Sequence, residues 1–466
     1  MTTGTALSAE DPPGPLHGPF ARRVSSVFAT QVVQFVLAFA TSILISRLLG
    51  PADKGVFVAV STLPGMLSVV GMFGLPSAVN YFAGKGSSVA SLTRAAFLFS
   101  AVLSVLLIAA VWVALPSLES SVLSALKGHD TLARVILVTL PLGILASFGG
   151  SILYGRQDVR VYNLIQLGQA VISLLCAIVL VGALRLGVAG AVAGSVVAST
   201  LLALAVMDAV RRLGRRDTAG PAAPGRALVS YGMRLYPASL SGYFNYRADT
   251  YIIQALMLNA PLALGLYSTA VTMAELVFYV PNSIGTIFLP RVAGSTPEDA
   301  NRMLGRVARL STLITVGVAL ALAPTAFVGI HLVLPQYADC LPAFYVLLPA
   351  VVSLSLAKIM TSFVSGRGRP GLVSAAITVA LVLNVALNLV LIPRFGIVGA
   401  SLSSVVSYTA HAVMTLLIAG RLSGQSPLSL FVPGWAEVLL LVAGLRHLGG
   451  RLPLIRSARS GAGGVR

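Results

Sequence analysis

Long apolar runs, each about the twenty residues that a helix needs to cross a bilayer, recur along most of this chain and leave few folds open to it. A span in hydrocarbon has no water to satisfy its peptide groups, so it must close its hydrogen bonds internally. Runs of this kind fall near 24–49, 55–82, 93–115, 132–154, 162–183 and 188–210. A second set falls near 228–257, 262–290, 304–330, 341–365, 371–392 and 397–419. The expected class is all-α integral membrane, with about twelve transmembrane helices.

The mean hydropathy of +0.91 and a charged fraction of only 10% give the chain more apolar surface than a water-soluble core buries. The net charge of +18 does not point to nucleic acid, because the basic residues are scattered in short loops and the tail. Sorted onto alternate sides of the spans, they are lopsided. Arg22, Arg23, Lys85, Arg94, Arg156, Arg160, the Arg211 to Arg226 cluster, Arg291, Arg302 to Arg309, Arg367, Arg369 and Arg421 fall on one side. The other side holds Arg47, Lys54, Lys127, Arg134, Arg185 and Arg394. Cytoplasmic loops hold the excess of Lys and Arg, so both termini are expected in the cytoplasm and the chain in the cytoplasmic membrane. The segments that follow are a disordered N-terminus (1–20), a first lobe (21–210), a basic cytoplasmic linker (211–227), a second lobe (228–420) and a basic tail (421–466). Within the tail, 428–445 is apolar but interrupted by Pro433, Gly434 and Glu437, which reads as interfacial rather than spanning. Cys176 and Cys340 lie far apart and indicate neither a disulfide framework nor a thiolate metal site.

A shift of about 210 positions superimposes three signatures in the same order. Pro51, Gly55 and Phe57 match Pro261, Gly265 and Tyr267, with Ala83 and Gly84 matching Ala293 and Gly294. Ser151, Gly155 and Arg156 match Ser362, Gly366 and Arg367. Arg185, Gly187, Gly190, Ala191 and Ser195 match Arg394, Gly396, Gly399, Ala400 and Ser404. An even number of spans per half makes the repeats parallel, which predicts two six-helix lobes around a central cavity that opens alternately to each side.

These signatures, with Arg47 to Phe57, Tyr231 to Asp249, Gly265 to Ser268 and Asn388 to Ala400, resemble the polysaccharide transport family of oligosaccharide flippases. Its superfamily also holds multidrug and toxic-compound extruders and lipid II flippases. The resemblance covers nearly the whole chain and implies a MATE-like fold. It implies movement of a polyprenyl-diphosphate-linked oligosaccharide between leaflets for surface polysaccharide biosynthesis, beside glycosyltransferases and a polysaccharide polymerase. A lipid II flippase and a multidrug cation antiporter remain the alternatives. The antiporter would be expected to carry an intramembrane acid in its first half, where this sequence has none.

Ionisable residues inside a membrane are costly and point to function. Arg234, Arg247 and Lys358 are the candidates for a cationic patch that receives a diphosphate, because guanidinium and ammonium groups suit phosphate oxygens. Asp249 and Glu275 are candidates for ion coupling or for charge pairing with Arg247. Gln31, Gln34, Asn80, Gln166, Gln169, Asn245 and Asn384 are candidates to line the cavity and meet sugar hydroxyls, against interhelical hydrogen bonding as the alternative. Arg47 and Asp53 read as turn residues and His411 as a packed polar residue. No phosphate-cradling loop or paired metal-ligand histidines occur, so neither an enzyme nor a cofactor is expected.

Overall fold

The structure is a computed structural model that describes residues 19–121, 123–216, 220–432, 434 and 437. The expectations for 1–18, and for most of the tail beyond Val432, lie outside the described residues. All regular structure among those residues is helical. In chain order the helices are α1 (Pro19–Gly71), α2 (Leu75–Gly84), α3 (Val89–Ser121), α4 (Asp130–Ile136), α5 (Thr139–Gly155), α6 (Val159–Cys176) and α7 (Gly187–Arg216). They continue as α8 (Gly225–Leu256), α9 (Ala260–Ala293), α10 (Pro297–Val333), α11 (Leu341–Gly366), α12 (Pro370–Ser423) and α13 (Pro427–Phe431). Among the described residues, nine helices are long and apolar enough to cross a membrane.

Local chemistry sets the helix ends. Thr296 caps α10 by accepting a hydrogen bond from the Asp299 amide, with Pro297 in the first turn and two acids there to match the helix dipole. α1 and α12 are each broken by one glycine in a conformation that a side chain resists, Gly50 at φ 77° and Gly396 at φ 57°. Pro51 restarts α1 directly after the break, since its fixed φ suits a first helical position.

Helices α1 to α7 pack mainly among themselves, as do α8 to α13, and the two groups meet through α1 against α9 and α2 against α8. The repeated glycines mark the closest approaches. A Cβ on Gly55 would lie 1.6 Å from the Pro261 carbonyl oxygen, and one on Gly265 would lie 1.7 Å from that of Pro51. The contact is reciprocal: each half offers a proline carbonyl to the other half's glycine. Within the halves, a Cβ on Gly155 would lie 2.5 Å from the Asn80 oxygen, and one on Gly366 would lie 3.0 Å from that of Leu289. At the third signature, Gly190 approaches the Leu180 carbonyl as Gly399 approaches that of Leu391.

Two expected spans are interrupted, and the run near 132–154 is divided between α4 and α5 at Leu137 and Val138. The run near 55–82 is two helices, with Phe73 and Gly74 between them at positive φ. A Cβ at Gly74 would come 2.3 Å from the Gly232 carbonyl, so the break lets the start of α2 press its backbone against α8. Tyr81 stacks on Tyr231 (4.5 Å between centroids, 13° between planes), and Tyr236 donates to the Val70 carbonyl at 2.8 Å. The two halves therefore touch at the α2–α8 seam as well as beside Gly50.

Beyond α12, the chain is tied back to α10. Arg309 Nε donates to Glu437 Oε1 at 2.8 Å, and its Nη1 donates to the Ser429 carbonyl at 2.8 Å. Asn301 and Gln425 add hydrogen bonds between the start of α10 and the end of α12.

Two outcomes are expected from this packing. Gly55→Ala and Gly265→Ala should each lower the thermal midpoint of the purified protein, by a destabilisation of at least about 1–3 kcal/mol. Gly143→Ala, whose Cβ would meet nothing within 4 Å, should be neutral or stabilising by about 0.5–1 kcal/mol. The second outcome concerns pH. The Arg309 hydrogen bond holds the Glu437 carboxyl below its ordinary value. The stabilisation is therefore fully present above the ordinary glutamate pKa of about 4.3 and is lost only as pH falls through the lowered value. Hydrogen exchange of residues 425–432 should show protection at neutral pH and its loss only in stronger acid.

Candidate functional site

A cavity of about 500 Å³ lies where the second part of α1 faces α8 and α9, within the size range of small-molecule sites. Its most regular wall is a stripe of α1: Lys54, Phe57, Val58, Ser61, Thr62 and Gly65, spaced so that they share one helical face. Thr41 and Ser42 of the first part of α1 face this stripe, and Ser173 and Ser195 close the far side. From the second half come Tyr243 and Arg247, four residues apart on α8, and Ser268 and Thr272 of α9. No Asp or Glu is among the lining residues.

Arg247 is the sequence candidate that borders this cavity. Its helix neighbours Ala248 and Asp249 are buried while Arg247 itself is exposed, so its guanidinium opens into the cavity. Glu275 and Asp249 act on its charge from nearby, but among the described residues neither forms a direct ion pair with it. Asp249 is committed elsewhere: it accepts from the Tyr267 hydroxyl and, at 2.8 Å, from the Thr250 amide. Glu275 is half-buried and lies outside the lining.

The structure does not bring the other two cations into this cavity. Arg234 is exposed on α8, thirteen residues before Arg247, or about 20 Å along the helix axis. Lys358 lies against α9, where a Cβ on Gly285 would be 3.4 Å from its Cγ. Of the polar candidates, Gln31 and Gln34 lie on the face of α1 that continues to Ala38 and Ser42 at the cavity edge. Gln166 and Gln169 lie on the face of α6 that continues to Ser173, with Gln166 donating to the Tyr162 hydroxyl at 2.9 Å. Asn80 is exposed at the α2–α5 contact. Asn245 is buried, and among the described residues its side-chain amide has no hydrogen-bond partner. Asn384 is held in a network away from the cavity, donating to Ser407 Oγ at 3.0 Å and accepting from Asn388 at 2.8 Å.

Lys54, sorted among the loop residues by charge counting, is 5% exposed and forms part of the cavity wall. Its Nζ donates to Ser46 Oγ and to Thr269 Oγ1, both at 2.7 Å. The signal that could have found it was Pro51. A proline at a first helical position starts the helix there, and Lys54 then falls on the Phe57, Ser61 and Gly65 face. Beside the cavity, and sharing Ser42 and Thr272 with it, runs an apolar cleft of about 260 Å³ between α1, α9 and α10. Among the described residues, no group of three potential metal ligands occurs.

A family described as polysaccharide biosynthesis protein matches residues 44–342. The probable low-salt glycan biosynthesis flippase Agl15 of Haloferax volcanii is 24% identical over 406 residues, covering 84% of this chain and 82% of that protein. An uncharacterized membrane protein of Methanocaldococcus jannaschii, MJ1068, is 28% identical over 193 residues, 39% of this chain and 37% of that one. Among solved structures, the lipid II flippase MurJ in an inward closed conformation superimposes with a TM-score of 0.73 at 11% identity, over 84% of this chain and 87% of that one. An inward-facing multidrug resistance MATE family transporter superimposes with a TM-score of 0.68 at 14% identity, over 84% and 95% of the two chains. The fold is thus an all-helical, multi-pass membrane fold like those of the MATE transporter and of MurJ.

The buried acid network gives a test that needs no relative. Asp249→Ala leaves the Tyr267 hydroxyl and the Thr250 amide without their acceptor and should destabilise the protein by about 1–3 kcal/mol. Tyr267→Phe should cost less. Thermal midpoints of the double variant should fall by less than the sum of the two, because both changes remove one shared bond.

Proposed function

The chain belongs to the polysaccharide biosynthesis protein family, and from that premise we propose that it is a flippase for a polyprenyl-diphosphate-linked oligosaccharide. The observation that carries this reading is Arg247, a guanidinium open to the cavity with no direct ion-pair or hydrogen-bond partner among the described residues. A cavity bordered by Arg247 and Lys54 and by no carboxylate suits an anion. It suits an apolar cation poorly, which separates this reading from a multidrug antiporter of the same fold. The diphosphate sits at Arg247, and the sugar meets the hydroxyls of Ser61, Thr62, Ser173 and Ser195 together with the glutamine stripes of α1 and α6. Asp249, held by Tyr267 and Thr250, orients α8. Glu275 is the acid left to respond to Arg247 as the substrate arrives and departs.

The spans number twelve in this reading. Two of the nine candidate helices are folded at Gly50 and Gly396 and cross twice, and α8, whose charges set it apart from the nine, crosses as well. Two parallel lobes of six then rock about the cavity, with both termini and the basic linker in the cytoplasm, where glycosyltransferases supply the substrate. A polymerase consumes it on the other face.

Arg247→Ala, at equal membrane abundance, should abolish complementation of a strain that lacks its oligosaccharide flippase. Arg247→Lys should restore it only in part, because an ammonium cannot grip phosphate oxygens in the bidentate manner of a guanidinium. Full activity of Arg247→Ala would remove the diphosphate assignment.

A further inference from the structure

Lys54 is a buried cation whose partners are all neutral. Its Nζ reaches Ser46 Oγ in its own half and Thr269 Oγ1 in the other, each at 2.7 Å, and lies 5.4 Å from the centre of the Tyr337 ring. Among the described residues no carboxylate forms an ion pair with it. Both hydroxyls spend their own protons on helix carbonyls, Ser46 on Ser42 at 2.6 Å and Thr269 on Gly265 at 2.8 Å. They meet the lysine as pure acceptors. An ammonium has three donors, and two are used here. The residue also borders the cavity that Arg247 borders. A lysine built only to bridge helices would ordinarily be matched by an acid, since buried charges are paired or have a ligand. This one borders the same cavity as the Arg247 guanidinium.

Resting on the flippase reading above, we propose that Lys54 is a second diphosphate-binding residue and that its ammonium exchanges between Thr269 and a phosphate oxygen. The exchange has a mechanical consequence. The Lys54–Thr269 bond joins the two halves beside the Gly55–Pro261 and Gly265–Pro51 contacts. Tyr337 ties the same corner by donating to the Ser46 carbonyl at 3.0 Å. A phosphate in the cavity competes for the hydrogen bond that helps close this end. Occupancy of the site thereby loosens the seal through which the substrate leaves, and departure of the phosphate returns the ammonium to Thr269.

The test uses the full-length protein in nanodiscs, inorganic pyrophosphate as the probe, and three variants. Lys54→Met should weaken pyrophosphate binding about tenfold or more through loss of a charge-assisted contact. Thr269→Val keeps the ammonium but removes its inter-lobe acceptor, and should tighten binding. Cys340, fully buried and close enough to Lys54 to feel its charge, reports on the seal. In a Cys176→Ser background, pyrophosphate should increase maleimide labelling of Cys340, and should not do so when Lys54 is Met. If Lys54→Met fails to fold, Thr269→Val decides alone, because unchanged affinity would mark Lys54 as a plain bridge and overturn the proposal. Wild-type affinity in Lys54→Met with loss in Arg247→Ala would also overturn it while leaving the cavity reading intact. Wild-type affinity in Arg247→Ala would remove that reading itself. The nanodiscs are prepared with and without phosphatidylglycerol. A Lys54 effect that appears only with that lipid, and not with pyrophosphate, would assign the site to a phospholipid headgroup and overturn the diphosphate role.

Discussion

The architecture turns on a contact with no side chains in it. Two helix beginnings, at Pro51 and at Pro261, lie backbone to backbone, each proline carbonyl seated where the other half's glycine has no Cβ. In lipid there is no hydrophobic drive to press two helices together, because hydrocarbon solvates apolar side chains as well as a neighbouring helix does. Close packing and polar contacts have to supply the attraction, and small residues permit the approach. A reciprocal pair of this kind fixes the spacing and register of the two halves at one end. The α2–α8 seam of Gly74 against Gly232 and Tyr81 on Tyr231 is a second contact between the halves, and it is not reciprocal.

Much of this frame was legible before any coordinates. Helix positions follow from apolar length, and the repeated Pro and Gly positions identify where backbones touch, because a glycine kept at corresponding places in both halves reports a steric requirement rather than a side-chain function. The break at Phe73 and Gly74 left a local trace in Gly74 and in Pro76, which falls in the first turn of α2, but the reason for the interruption is a partner far away in sequence. The same limit applies to the site. Arg247 stands out as a charge in an apolar run. The separation of Arg234 and Lys358 from it depends on helix rotation and packing that no linear pattern encodes. Lys54 was hidden by a boundary error of a few residues. Placing the helix start at Gly55 put a wall residue into a loop, and Pro51 was the correction available.

Asn384 shows how polar residues in a membrane helix divide between two uses. Its amide bonds Ser407, and its carbonyl accepts from Asn388, so it joins the two parts of α12 on either side of Gly396. Asn245, equally buried, has a side chain with no hydrogen-bond partner among the described residues, although its backbone carbonyl accepts from Tyr408 at 3.1 Å. Both residues look alike in sequence. What distinguishes them is the atom each neighbouring hydroxyl meets: Ser407 accepts from the Asn384 amide, whereas Tyr408 donates to the backbone carbonyl of Asn245.

The repeat is symmetric in backbone and asymmetric in chemistry, and the structure shows how the two are reconciled. The first-half position matching Glu275 is Gly65, which is not merely the absence of an acid. A Cβ there would lie 3.0 Å from the Tyr243 hydroxyl, so the glycine makes room for a second-half side chain. Tyr243 in turn bonds Tyr251 at 3.0 Å, and Tyr251 donates to the Thr62 carbonyl at 3.1 Å. This chain of hydroxyls holds the Arg247 turn of α8 against the α1 stripe. Most of the cavity wall therefore belongs to the first half, while the second half reaches Tyr243 and Arg247 into it. Lys54 does the reverse, reaching from the first half to Thr269. With one cation contributed by each half, charge can be balanced by a single anion only when the halves are close together, and so a ligand's charge and the distance between the lobes become coupled quantities.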